Sequence, residues 1–120
     1  GNIRFGLELR ALGDDGGMAI HVLADVAGQE IELLAFDCFR MCPHYHYGPR
    51  SRNERIFWDK TLVPDTFGWC IEQFRSGKLP AMLQRAGYPT VAAAVDQDLV
   101  NSRLPQVEAA AAAMLQAASR

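Results

Sequence analysis

Apolar and polar residues alternate from the start of the chain. Ile3, Phe5, Leu7, Leu9 and Ala11 are interleaved with Arg4, Gly6, Glu8 and Arg10, and a period of two marks a strand with one wet face. The cluster Gly13-Asp14-Asp15-Gly16-Gly17 can supply the positive-φ positions of a hairpin, after which Met18, Ile20, Val22, Ala24 and Val26 resume the alternation. Two antiparallel strands are expected. A tight turn around Ala27-Gly28-Gln29 leads into EIELLAFDCFRM, where the apolar phase of Ile31 and Leu33 is joined by Leu34 and Phe36. Both faces of that strand's middle are therefore expected to be buried. RIFWD, Arg55 to Asp59, is aromatic and β-branched enough to read as the fourth strand.

The period then changes. Phe67, Cys70, Ile71 and Phe74 fall at helical spacing, with Asp65 or Thr66 as cap and Gly77 as stop. Cys70 on this stripe reads as a small core residue. Trp69 lies off the stripe, where it would be exposed as a partner or subunit contact, or covered by the later helices. Pro80 and Gly87 bracket a short helix carrying Met82, Leu83 and Ala86. Thr90 is placed to cap VAAAVDQDLV, and Pro105 to begin a last alanine-rich helix through Ala118. Strands first and helices afterwards predict a single α+β domain over residues 1–120, an antiparallel sheet of about four N-terminal strands covered by about four C-terminal helices. That order excludes a βαβ nucleotide-binding design. Self-association through a strand edge or the final helix is expected, giving a homo-oligomer.

Composition narrows the function classes. With 49% hydrophobic and 22% charged residues and a net charge of -2, the chain lacks the positive field of a double-stranded DNA binder. Its longest apolar run, Ala109 to Leu115, is far short of the ~20 residues that span a bilayer. Neither a secretory signal nor a membrane association is expected. The three cysteines, Cys38, Cys42 and Cys70, are an odd and sparse set that suits reduced thiols and a cytoplasmic location.

The chemistry-bearing residues crowd into one stretch, FDCFRMCPHYHYGPRSRNER, Phe36 to Arg55. Pro43 biases Cys42 toward extended backbone, and in an extended His-Tyr alternation His44 and His46 point to one side, ~6.5–7 Å apart at Cα. Two imidazoles so placed can reach one ion, at about 2.0–2.1 Å per nitrogen. A third ligand to a divalent metal such as zinc would come from Asp37, from His21 on the second strand, or from Cys42. The cysteine spacing matches no zinc finger or ribbon.

A metal-free alternative uses His44 and His46 as acid–base groups with Asp37, and Arg50, Arg52 and Arg55 to hold an anion, the arrangement of a phosphodiester or RNA hydrolase. Tyr45, Tyr47, Phe57 and Trp58 would then offer stacking surface to single-stranded RNA. A third reading needs no chemistry. Asp37 accepts backbone amides at a strand bend, Pro43 and Pro49 shape a turn, and the arginines form a solvated loop. Whether the chain is an enzyme stays open among these.

The run FDCFRMCPHYHYGPRSRNERIFWD, with DTFGWCIEQFRSGKLPAMLQRAGY after it, resembles an uncharacterised bacterial domain family of unknown function, over most of Ile3 to Tyr88. That resemblance implies no activity. A second similarity is to small proteins of bacterial toxin–antitoxin pairs that carry an R-Y-D-N-A-P-H-H stretch. Asp37, Pro43 and His44 correspond, with extra residues between them and the second His displaced to His46. It implies an RNA or protein partner. The first description the residues support is a binding or interaction module whose polar surface centres on His44 and His46.

Overall fold

Residues 3–47 and 54–118 are described in the computed structural model. Five strands form one antiparallel meander in the order β1-β2-β3-β4-β5: β1 (Arg4–Leu12), β2 (Asp15–Val26), β3 (Gln29–Phe39), β4 (His44–Tyr47) and β5 (Glu54–Phe57). Four helices follow, α1 (Thr66–Arg75), α2 (Leu79–Arg85), α3 (Pro89–Ala93) and α4 (Gln97–Ala118). The α+β class and the antiparallel sheet agree with the expectation. The strand count does not, because the four residues His44–Tyr47 form a full strand and make Glu54–Phe57 the fifth. Four residues are too few for periodicity to tell a strand from an extended loop. Pairing with β3 decides the matter, through Leu34↔Tyr47, Ala35↔His46, Phe36↔Tyr45 and Asp37↔His44.

The alternating positions of β2 face the helices: Ile20, Val22 and Ala24 are fully buried and pack with Phe36, Cys70, Ile71, Phe74, Leu79, Leu83 and Leu104. Phe36 meets Phe74 edge-on with ring centroids 5.4 Å apart, and Phe5 of β1 meets the same ring at 5.2 Å. The double apolar phase of β3 has a structural cause. Val22 pairs with Leu34 but Leu23 with Glu32, so Leu33 is the extra residue of a β-bulge. Both phases are buried, and every residue from Leu33 to Asp37 is inaccessible or nearly so. The β2–β3 turn has φ of +53° at Ala27 and +78° at Gly28, the two left-handed central residues of a type I′ hairpin.

Asp65 caps α1, its Oδ1 accepting from Gly68 N at 3.0 Å, and Gly77 lies past the end at φ +85°. The C-terminal helices differ from the expectation. The helix foreseen after Thr90 breaks after Ala93. Asp96 Oδ1 then accepts from Leu99 N at 3.2 Å, a side-chain cap that starts α4 at Gln97, eight residues before Pro105. Pro105 thus sits inside a helix rather than opening one. Trp69 is half-buried and packs against the core, with the rings of Tyr45 and Trp58 at centroid distances of 6.2 and 5.3 Å. Among the described residues no helix is long and apolar enough to cross a membrane.

Candidate metal centre

The helices occupy one face of the sheet, and the strand registers fix what stands on the other. One row across it runs Glu8, Ala19, Asp37, His44, Phe57, and the next runs Gly6, His21, Ala35, His46, Arg55. Cross-strand neighbours on one face have Cβ atoms ~4.5–5.5 Å apart, so Asp37 and His44 are brought together by register alone, and His46 follows two residues along the same strand. Tyr45 and Tyr47 point the other way, as the alternation required. Tyr45 packs on Phe36 at 5.6 Å and on Trp58 at 4.9 Å, and Tyr47 lies under the Arg85 guanidinium, 4.7 Å from its ring centroid. These aromatic contacts anchor a four-residue strand and thereby fix the direction of its two histidines.

Three ligand atoms converge. His44 Nε2 lies 3.0 Å and His46 Nε2 3.1 Å from the same oxygen, Asp37 Oδ2, and the potential donor atoms of the three residues all lie within 4.8 Å of one another. The two imidazoles are nearly perpendicular, at 74°, with centroids 4.8 Å apart. Asp37 is 1% exposed, His44 11% and His46 18% at the side chain. The other carboxylate oxygen, Oδ1, accepts from Arg10 Nη1 at 3.0 Å. Arg10 reaches Asp37 from β1 because Gly17 and Ala19 on the intervening β2 present almost no side chain to obstruct it. Its guanidinium also lies over Phe39, 5.8 Å from the ring centroid.

The tautomer of His44 is set by its surroundings. Nδ1 lies 3.0 Å from Cys42 O; a carbonyl only accepts, so Nδ1 carries the proton. In a neutral imidazole Nε2 then presents a lone pair, and it presents it to a carboxylate oxygen 3.0 Å away. Two facing acceptors repel. Either a second proton on His44 or a cation among the three atoms removes the conflict. A ligating histidine whose other nitrogen donates to a backbone carbonyl is the usual outer-shell arrangement of a metal site. Ligand atoms ~2.0–2.2 Å from a tetrahedral ion stand about 3.3–3.5 Å apart, so the separations of 3.0 and 3.1 Å would open by a few tenths of an ångström, while the third, within 4.8 Å, would close toward the same value.

The loop that supplies the Cys42 carbonyl is itself held. Asp15 accepts from Gly16 N at 2.8 Å, Met41 N at 2.9 Å and Cys42 N at 2.8 Å. Burial works to raise the Asp15 carboxyl, but the N–H groups of Met41, Cys42 and Gly16 and the charge of Arg40 outweigh it and hold it below the ordinary range. Trp58 N also donates to Pro43 O at 3.1 Å.

The other candidates lie elsewhere. His21 is not in the group: it stands two strands from His46 across Ala35, with Nε2 3.0 Å from Glu8 Oε1 and Nδ1 in close contact with Glu32 Oε1. Hydrogen bonding to Glu32, opposed by burial and reinforced by Glu8, raises its pKa. Cys42 is exposed and serves through its carbonyl, not its thiol. Cys70 is buried, and burial and then its neighbour Cys38 push its thiol well above the usual range, as a core residue requires. Arg50 and Arg52 lie outside the described residues, while Arg55 is exposed beside His46. Arg10 and Asp15 escaped the sequence reading. Nothing in the alternation of β1 separates Arg10 from Arg4, and Asp15 sits in a turn cluster whose composition already explained it.

Two cavities, of about 520 and 500 Å³, lie between β1 and α4 and beside Phe67 and Leu115. Neither includes Asp37, His44 or His46. The profile of a domain family of unknown function, DUF7700, matches residues 1–111. No curated protein and no solved structure shows a significant match.

Proposed function

Because the chain belongs to the DUF7700 family, a domain of unknown function, we propose a role from the geometry alone: Asp37, His44 and His46 hold one divalent first-row transition ion, and the protein is a metal-dependent binding or hydrolytic domain. The observation that carries this is the convergence of two Nε2 atoms on Asp37 Oδ2 at 3.0 and 3.1 Å, with His44 Nδ1 turned to Cys42 O. Two imidazoles and a carboxylate suit zinc, and also iron(II) or manganese(II). Three protein ligands leave an open coordination position. Such an ion can take a ligand directly or lower the pKa of a bound water to about 7. Arg10 keeps the second carboxylate oxygen turned away from the ion, so Asp37 would ligate through Oδ2 alone.

The test is elemental analysis of tag-free protein followed by competition titration with zinc. About one equivalent per chain is expected, with affinity falling in His44→Ala, His46→Ala and Asp37→Asn by more than the ~10–100-fold typical of losing an outer-shell partner. A second reading has support of its own, since 3.0 and 3.1 Å are also ordinary lengths for protonated imidazole on carboxylate. In that case the group is a metal-free charge cluster, and it predicts no zinc uptake and no dependence of uptake on these three residues.

A further inference from the structure

The residues around the ion site are unevenly charged. Arg10 spends one N–H on Asp37 Oδ1 and is still 37% exposed. On the opposite flank Arg55 is exposed and pairs across the sheet with His46, on the same face. A divalent ion with Arg10 and Arg55 brings four positive charges, of which Asp37 answers one. Glu8 and Glu32, the carboxylates nearest in the pattern, are engaged by His21 on the far side of Ala19 and Ala35. Beside the imidazoles stands an apolar wall: Phe57 is 60% exposed, with its ring centroid 5.3 Å from that of His44. An exposed phenyl beside a cationic site is unexplained by the core, which lies on the other face.

Building on the metal reading above, we propose that this face binds an aromatic phosphate ester, its oxyanion on the open coordination position between Arg10 and Arg55 and its ring against Phe57. Arginine suits the role because its planar fork meets two oxygens of a phosphate at once. An ion supplies the central charge and Phe57 the stacking surface, worth about 2- to 10-fold in affinity for a well-placed aromatic pair. Asp37 and the imidazoles, nearly out of solvent, keep the ion; Arg55 and Phe57, in solvent, meet the ligand.

The experiment loads tag-free protein with cobalt(II) and follows its visible spectrum during titration with phenyl phosphate and with inorganic phosphate. Both anions are expected to shift the bands, phenyl phosphate at several-fold lower concentration. Arg55→Gln should weaken both anions about tenfold or more, the loss of a charge-assisted, two-pronged contact, while cobalt uptake stays stoichiometric. Phe57→Ala should abolish the preference for phenyl phosphate and leave inorganic phosphate alone. Absence of cobalt uptake by the unsubstituted protein overturns the metal reading and this inference with it. Cobalt uptake with unchanged anion affinities in Arg55→Gln and Phe57→Ala overturns this inference only.

Discussion

Replacing His21 by Gln isolates the second polar group of the helix-free face and fixes a sign as well as a size. His21 donates toward Glu8 and Glu32, whose side chains are 56% and 29% exposed, and is itself 20% exposed. Solvent-screened pairs of this kind contribute ~0.2–1 kcal/mol each, so the two together contribute about 1–1.5 kcal/mol. For a domain of this size that corresponds to ~4–6 °C in melting temperature. Both carboxylates favour the imidazolium, so the folded-state pKa stands above the unfolded value of about 6.5. Below about pH 6.5 His21 is charged in both states and the full contribution is present. As pH rises through the raised folded-state value the proton leaves, and the contribution goes with it.

The assay is thermal unfolding of the parent and His21→Gln proteins from pH 5.5 to 9.5, in EDTA so that no bound metal adds its own pH dependence. Both proteins share Asp37, His44 and His46, so whatever those residues do cancels in the difference. The parent should melt ~4–6 °C higher at the acid end, with the gap narrowing steadily above neutrality. A gap that is constant with pH, or that widens as pH rises, would falsify the assignment of His21 as a cation held between two carboxylates.

Two further outcomes follow from single contacts. Asp15→Asn replaces one of the oxygens that accept the Met41 and Cys42 amides with an NH2 group aimed at an N–H. The Cys42 carbonyl should lose its placement, weakening zinc binding about tenfold with circular dichroism unchanged; parent-like zinc affinity in the competition titration refutes the link. Ala27→Asn puts a residue tolerant of left-handed backbone where alanine stands at φ +53°, and should stabilise the protein by ~0.5–1 kcal/mol. A lower midpoint than the parent in urea unfolding counts against it.

What was legible in the sequence was what repeats. The two-residue period of β1 and β2 spans enough positions to average out exceptions, and the stripe Phe67, Cys70, Ile71, Phe74 does the same for α1. Short or locally decided features were not legible. The mixed phase of β3 was visible, but that it reports a bulge at Leu33 depends on the partner strand. The glycines at 16 and 17 read as hairpin residues, yet a Cβ on Gly17 would lie 2.4 Å from Cys38 O and one on Gly16 2.6 Å from Arg10 O; their smallness serves the close approach of neighbouring strands. The boundary between α3 and α4 turned on the capping side chain of Asp96 against a proline that usually opens helices. At the site, the common direction of His44 and His46 follows from alternation alone. Their meeting with Asp37 follows from register, and the arrival of Arg10 from the small residues of a strand lying between.

The energetics of that face argue against stability as its purpose. Among the described residues no helix packs on that face, yet Ala19 is inaccessible, Ala35 8% and Asp37 1% exposed. A carboxylate taken out of water loses several kcal/mol of solvation, and a buried ion pair seldom returns more than it loses. Apolar residues of similar volume at 37, 44 and 46 would hold the same strands together as well or better, as Phe36, Tyr45 and Tyr47 do on the opposite face. Arg10 compensates one charge at one oxygen. The other oxygen faces two imidazole nitrogens, and the ring of His44 is oriented by a carbonyl that Asp15 holds in place. An arrangement that does so little for folding, yet brings three potential ligand atoms together, is what the proposed metal role would require.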